Sequence, residues 1–117
     1  AGTLTIAGAN TFGDITNTHA GSSTISLSAN QTVSNFTLSD TSGNVITFNS
    51  SSAGVRRNIS KASGTVDVIY LNIVDSNATG GATWNAFTAN GNVDGGNNLG
   101  WKFVPPTSGS NMFMMFD

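Results

Sequence analysis

The sequence predicts an all-β protein whose short strands stack as the coils of a parallel β-helix. Three features of its 117 residues support this prediction. β-branched and other apolar residues alternate with polar ones in short runs, which favours strands over helices. No stretch is rich in the residues that favour helices, such as Ala, Glu, Lys and Leu. Apolar residues also recur at one constant displacement in the low twenties, a period typical of solenoid coils.

The repeat is visible in two alignments of the chain with itself. One constant displacement, which we call the short displacement, aligns four pairs of apolar residues: Phe12 with Val33, Ile15 with Phe36, Ile25 with Ile46, and Leu27 with Phe48. A second one, the long displacement, aligns four further pairs: Val33 with Val68, Phe36 with Leu71, Leu38 with Ile73, and Asp40 with Asp75. Because parallel strands lie ~4.8 Å apart, we expect aligned residues to stack in columns. The polar segment 50–64 explains the long displacement, and we expect it to form a loop with one weak strand around Ile59.

Apolar residues are dense in the run TVDVIYLNIVD. They fall into two phases of a two-residue alternation, with Val66 and Val68 in one phase and Ile69, Leu71 and Ile73 in the other. Since side chains alternate between the two faces of a strand, both sets face one core only if the chain bends. The sequence therefore predicts a corner or bulge at Val68–Ile69.

Other strands are predicted where the same alternation is bounded by turn residues. In chain order, the predicted strands span residues 3–7, 10–18, 24–28, 32–39, 45–49 and 65–74. Leu4 and Ile6 should face inward in the first of them. Several short strands separated by turns also fit an antiparallel β-sandwich or jelly roll. The repeat favours the β-helix, because a sandwich gives no reason for two strand pairs to recur at one displacement.

The chain after the long apolar run is rich in Gly and Asn. We expect Trp84, Phe87 and Trp101 to seal the end of the core as a last coil. Two adjacent prolines then end regular pairing, because proline cannot donate to a strand ladder. The predicted division is 1–103 for the coils and 104–117 for a linker and an apolar strand. We expect the coils to be the C-terminal part of a longer chain.

Composition argues against several classes of protein. Only 9% of residues are charged and the net charge is -2, so the chain has no basic footprint for nucleic acid. Cysteine is absent, which excludes disulfides and cysteine metal sites. No apolar run approaches the ~20 residues of a membrane span, so we expect no membrane insertion.

Four segments carry a resemblance to a known family. They are ANTFGDIT, SLSANQTVSNFTL, SKASGTVDVIYLNIVDSNATGGATWNAF and the closing GGNNLGWKF. Together they resemble a parallel β-helix repeat module of the pectin-lyase-like kind, found in bacteriophage virion proteins and some secreted bacterial surface proteins. The resemblance covers nearly the whole chain up to Phe103. It implies a right-handed coil, a virion or extracellular setting and a structural role, and it brings no catalytic residues with it.

Acidic residues and the single histidine are the candidates for chemistry. Asp40 and Asp75 are equivalent in the repeat, so a coil would bring them near each other. A stacked carboxylate pair could bind calcium or cleave glycans. Asx-turns at strand ends are the favoured interpretation of both residues. His19 has no recognisable nucleophile or second histidine to accompany it, so we interpret it as a turn residue in solvent. We therefore expect no catalytic, metal or cofactor site.

Two groups of residues are candidates for contacts with partners. Arg56, Arg57 and Lys61 are three of the four basic residues and could meet an acidic glycan or a partner carboxylate, although a solvated loop explains them as well. After a polar spacer come five consecutive large apolar residues, Met112, Phe113, Met114, Met115 and Phe116. Burial of each such side chain is worth ~1.5–3 kcal/mol. We expect them to pack either on the chain's own coils or on another subunit.

These features together predict a non-enzymatic structural and adhesive module of a phage virion protein, such as a tail fibre, a tail spike or a capsid decoration. The expected partners are further copies of the chain, in a homotrimer, neighbouring virion proteins and a host-surface glycan. A secreted bacterial adhesin or surface-filament repeat is one alternative with the same fold. A glycan-degrading tail spike is the other, and it requires a carboxylate pair in a groove.

Overall fold

The computed structural model of the protein describes residues 2–16 and 21–105. This part of the chain is all-β, with twelve short strands and one 3₁₀ turn, Thr88–Asn90. Every strand pair within it is parallel, and the strands form a β-solenoid of about five turns. The predicted parallel coil is therefore confirmed, and the antiparallel sandwich is excluded.

Three sheets form the faces of the solenoid. The first has one strand from each coil, in the order β1 (Thr3–Ile6), β3 (Ser23–Leu27), β5 (Ile46–Ser50), β8 (Leu71–Ile73) and β11 (Val93–Asp94). The second contains β2 (Asn10–Thr16), β4 (Gln31–Thr37), β6 (Arg57–Ser60) and β9 (Ser76–Thr79). The third contains β7 (Thr65–Asp67), β10 (Thr83–Asn85) and β12 (Trp101–Lys102), and so begins only in the third coil. Every ladder joins neighbouring coils, so residues in register stack on one another.

Part of the predicted register is confirmed and part is wrong. Phe12 lies beside Val33 and Ile15 beside Phe36, as the short displacement predicts. In the first sheet, however, Ile25 lies beside Phe48 and Leu27 beside Ser50, so the predicted pairs of Ile25 with Ile46 and Leu27 with Phe48 are wrong. The reason is the connection between β4 and β5, which has two more residues than the connection between β2 and β3.

The long displacement is also wrong as a prediction of register. β8 pairs with β5, which places Leu71 beside Ile46. The aligned residues Val33 and Val68, Phe36 and Leu71, and Leu38 and Ile73 are therefore not register partners. The cause lies in the segment 50–64, where the strand predicted around Ile59 is confirmed as β6. It contains β6, which pairs with both β4 and β9 and carries the second sheet through the third coil.

The chain turns a corner between β7 and β8, as the change of phase predicts. Val66 and Val68 before the corner are buried, and so are Leu71 and Ile73 after it. Tyr70 makes the turn with a φ of 57°, a left-handed conformation that non-glycine residues seldom adopt. Ile69 is 40% exposed, so the prediction that it faces the core is wrong. The positive φ of Tyr70 completes the change of direction, so the side chain of Ile69 lies outside the core.

The core lies between the three sheets and runs from the second coil to the last. Its buried side chains are mostly Ile, Leu, Val and aromatic residues, and include Leu27, Phe36, Leu38, Ile46, Phe48, Ile59, Leu71, Ile73, Trp84 and Trp101. The inward positions of Ile25, Leu27, Ile46 and Phe48 are as predicted. Leu4 is 59% exposed, and its predicted inward position is wrong. The physical reason is that β1 is an outermost strand, packed on one side only among the described residues.

Candidate interaction surfaces

The basic residues named from the sequence lie at the two ends of β6. Arg56 precedes the strand, is exposed, and donates from Nε to the carbonyl of Asn97 in the last coil at 3.0 Å. Arg57 opens the strand and is half-buried. Lys61 follows the strand, and its ammonium group donates to the carbonyl of Ser63. At ~3.3 Å per residue, Arg56 and Lys61 are ~16 Å apart along the strand, so the three do not form one compact patch.

Asp75 joins three coils at the corner between β8 and β9. Its side chain is 6% exposed, and its two oxygens accept hydrogen bonds from the backbone N–H of Gly54 (2.9 Å) and from Nδ2 of Asn97 (2.7 Å). The amide of Asn97, then the N–H of Gly54 and the charge of Arg56, hold the pKa of Asp75 below its ordinary value, against the opposing effect of burial. Both oxygens of the carboxylate are therefore hydrogen-bonded within the corner.

Asp40 lies at the opposite end of the first sheet from Asp75. It precedes β5, donates from its backbone N–H to the carbonyl of Ile69 at 3.1 Å, and accepts the N–H of Thr41 on Oδ1 at 2.9 Å. Asp75 follows β8, which pairs in parallel with β5. The expectation that the repeat brings the two carboxylates together is therefore wrong, because the pairing that it assumed does not form.

Side-chain amides bond the fifth coil to the backbone of the fourth. Asn92 is 3% exposed and follows Leu71 by one coil, just before β11. Its Oδ1 accepts the backbone N–H of Leu71 at 2.9 Å, and its Nδ2 donates to the carbonyls of Val68 (2.8 Å) and Phe87 (2.9 Å). A primary amide carries both a donor and an acceptor, like a peptide group. Asn92 therefore pairs backbone groups at the start of β8 that the short strand β11, which begins at Val93, does not reach.

Asn98 makes the same kind of contacts one corner later. Its Oδ1 accepts the N–H of Ser76 at 2.9 Å, and its Nδ2 donates to the carbonyl of Ile73 (2.7 Å) and to Asp94 Oδ1 (2.8 Å). Both asparagines belong to the fifth coil and bond to the backbone of the fourth. We call Asn92 and Asn98 the amide cap.

Aromatic rings fill the core beneath the amide cap. Four of them pack edge to face with centroid separations of 5.0 to 6.4 Å: Phe36, Phe48, Trp84 and Trp101. The Nε1 of Trp84 donates to the carbonyl of Thr79 at 3.1 Å, and that of Trp101 donates to Ser76 Oγ at 3.0 Å. Both indoles are buried as predicted, whereas Phe87, the third aromatic residue expected to seal the end of the core, is half-buried.

The first coil forms the N-terminal end of the described chain. β1 and β2 are the outermost strands of their sheets, so each is paired on one side only. Ile6, Phe12 and Ile15 pack on the core but stay partly exposed. A groove of about 350 Å³ opens beside β1, lined by residues of β1 and β3 and by Thr16 at the end of β2. We call it the first-coil groove.

Comparison of the chain with family models, curated proteins and solved structures gave no match. Within residues 2–16 and 21–105, no three His, Cys, Asp or Glu side chains cluster in a way that could hold a metal ion. In that same part of the chain no helix is long and apolar enough to cross a membrane. His19 and the segment Met112–Phe116 lie outside the described residues, so the interpretations given to them stay predictions.

Sequence reasoning named Asp75 but missed the asparagines that join the last coils, Asn92, Asn97 and Asn98. The signal was present, because Asp75 and Asn97 occupy equivalent places in successive coils, and each is followed by a further polar residue. Asp75 and Asn97 both have positive φ values, 53° and 58°, which Asp and Asn tolerate better than most residues. An alignment of Asn and Asp positions, rather than of apolar positions alone, would have found this corner.

Proposed function

We propose that the chain is a non-enzymatic structural and adhesive module of a bacteriophage virion protein, such as a tail fibre, a tail spike or a capsid decoration. The observation that supports this proposal is the ladder of five parallel coils, in which each coil is hydrogen-bonded to the next. Such a stack makes a stiff rod whose polar outer faces present contacts. The sequence resemblance to virion β-helix modules supports the virion or extracellular setting. We propose a right-handed coil, the usual hand of connections between parallel strands of one sheet.

The positions of the acidic side chains support a non-enzymatic role. Glycosidases of the common type need two carboxyl groups ~5–9.5 Å apart in one groove. Asp75 is buried in hydrogen bonds at one end of the first sheet, and Asp40 lies at its other end. Asp14 and Asp67 face outward and accept hydrogen bonds from Thr37 and Asn85 of neighbouring coils. The side chains of Asp14, Asp67 and Asp75 therefore join neighbouring coils through hydrogen bonds.

An antibody against the coils tests the setting directly. On purified phage particles, immunogold electron microscopy should show label on the tail or the capsid surface. Label on bacteria from phage-free cultures, with none on particles, would contradict the virion proposal and favour a secreted bacterial adhesin. The outer faces, including exposed Arg56, are where contact with neighbouring virion proteins or a host glycan is expected.

We further propose that copies of the chain form a homotrimer through the apolar segment Met112–Phe116. Five large apolar side chains in sequence are costly to leave in water, at ~1.5–3 kcal/mol each. Sedimentation equilibrium of the full chain should give a trimer, and a chain lacking residues 105–117 should give a monomer with an unchanged far-UV circular dichroism spectrum. A monomer with and without these residues would contradict the proposal, and so would a trimer that persists after the truncation.

A further inference from the structure

We infer that a groove between the second and third coils binds a carboxylated sugar, a hexuronate residue of an acidic glycan. The inference rests on the proposed adhesive role and gives that role a site. Three observations support it: the gap that the third coil leaves beside β4, the fixed corner that bounds this gap, and the polar groups that line it. Described coils lie on both sides of this groove, whereas the first-coil groove borders the first described strand.

The groove exists because the second and third coils follow different courses. β4 pairs with β2 at six register positions but with β6 at only two, those of Gln31 and Thr32. After β6 the third coil turns through residues 61–64 into β7, which among the described residues pairs with β10 alone. The rest of β4 therefore has no register partner in the third coil. A groove of about 320 Å³ opens at this place, and we call it the inter-coil groove.

The corner that bounds the inter-coil groove is held on its far side by the fourth coil. The backbone N–H of Lys61 donates to the carbonyl of Thr79 at 3.1 Å, and the carbonyl of Lys61 accepts the N–H of Ala82 at 3.2 Å. Gly80 packs so close that a Cβ there would overlap the carbonyl of Lys61. The opposite wall, β4, is fixed by its ladder to β2. Both walls are therefore in place before a ligand arrives, which lowers the entropy cost of binding.

The lining of the inter-coil groove combines one positive charge with unpaired hydroxyl groups. β4 contributes Thr32 and Ser34, and the corner contributes Lys61 and Ser63. None of the three hydroxyls has a hydrogen-bond partner among the described residues. Lys61 is half-buried and is the one charged residue of the lining. Its ammonium group donates to the carbonyl of Ser63 and forms no ion pair within the described part of the chain. An ammonium has three N–H donors, so two remain for a ligand.

These groups fit a carboxylated sugar better than a neutral sugar or a bare anion. An ammonium without an ion-pair partner favours a carboxylate, because a charge-assisted hydrogen bond is roughly twice as strong as a neutral one. The hydroxyls of the lining both donate and accept, so they can pair with the hydroxyls of a sugar ring. A volume of about 320 Å³ lies at the small end of the ~300–1,000 Å³ range of ligand pockets. The inter-coil groove therefore suits one sugar residue of a glycan.

Titration of the isotope-labelled protein with glucuronate, followed by two-dimensional NMR, tests the site. The largest shifts should fall on the amides that line the inter-coil groove. The dissociation constant should be on the order of 1 mM, ordinary for a ligand of this size. Glucose lacks the carboxylate and inorganic phosphate lacks the ring, so each should bind about tenfold more weakly. Glucuronate shifts that do not saturate or that centre elsewhere would overturn the inference, and so would equal binding of glucose or phosphate.

Two substitutions test whether the ligand lies in the inter-coil groove. Lys61→Gln removes the charge and should weaken glucuronate binding about tenfold. Ser34→Phe places a large side chain in the groove and should abolish the binding. Lys102→Gln makes the same change at an exposed lysine in β12, two strands away from β7, and should bind as the wild type does. An unchanged far-UV circular dichroism spectrum shows that each variant is folded.

The outcomes separate this inference from the proposed function. If the wild type, Lys61→Gln and Ser34→Phe bind glucuronate equally well, the ligand lies elsewhere and the inference fails, while the adhesive role stands. If the antibody labels only bacteria from phage-free cultures, the virion proposal fails, while glucuronate binding in the groove stands.

Discussion

Asn92→Leu separates two accounts of what joins the fifth coil to the fourth. Asn92 is buried, and Leu71, one coil earlier, occupies the corresponding position. If the core only needed apolar volume there, leucine would stabilise the protein. If the amide is needed for its hydrogen bonds, leucine leaves the N–H of Leu71 and the carbonyls of Val68 and Phe87 without this partner. The sign of the change in the free energy of unfolding therefore decides between the two accounts.

The expected magnitude follows from those three groups. A buried N–H that loses its acceptor costs ~1–3 kcal/mol. Carbonyls that lose one partner cost less, because each has a second lone pair. The added apolar burial of leucine offsets part of this cost, at ~25 cal/mol per Å². We expect Asn92→Leu to lower the free energy of unfolding by ~2 kcal/mol, measured by urea denaturation.

A matched substitution controls for the change of residue type. Asn35 lies on the exposed face of β4, so Asn35→Leu should change the free energy of unfolding by no more than ~0.5 kcal/mol. The thermal midpoint of Asn92→Leu should fall by roughly 8 °C, at about 4 °C per kcal/mol for a domain of this size. An Asn92→Leu protein as stable as the wild type, or more stable, would refute the reasoning.

Two further substitutions test the corners. Asp75→Asn should destabilise the protein most near neutral pH. The pKa of Asp75 is lower in the folded protein than in the unfolded chain, so the ionised carboxylate stabilises the folded state above the unfolded pKa. This stabilisation is lost as the pH falls through the folded pKa. Urea unfolding across acidic pH should show the difference shrinking, and a constant difference would contradict this. Gly100→Ala should cost ~1–3 kcal/mol, since the added Cβ would overlap the carbonyl of Ala78 and φ is +78°. Gly13→Ala, with open space around it, is the control and should be nearly neutral.

Parallel stacking could be predicted from the sequence because the first two coils differ little in length. Phe12 and Val33 align at the short displacement, and the structure places them side by side. The register failed at Leu71 because the strand predicted around Ile59 was assigned to a loop and not to a coil of its own. β6 contributes a single buried apolar residue, Ile59, so apolar alignment passes over it.

The polar contacts were harder to predict, because side-chain amides leave no periodic signal in an alignment of apolar residues. Asn92 stands where an apolar residue stands one coil earlier, so a search for apolar columns treats it as an interruption. Asp75 was named from the sequence, but as the partner of Asp40 rather than of Gly54 and Asn97. Its real partners depend on the register of coils three to five, and that register follows from turn lengths.

Nuclear magnetic resonance tests the central claim, parallel stacking of successive coils, most directly. In a labelled sample, nuclear Overhauser contacts should join the backbone of Ile46 to that of Leu71, and Phe48 to Ile73, as amide-to-α-proton contacts in parallel register. Strong contacts between α protons of facing residues, which mark antiparallel pairs, would contradict the account. Backbone contacts of Leu71 with Phe36 in place of Ile46 would contradict the register.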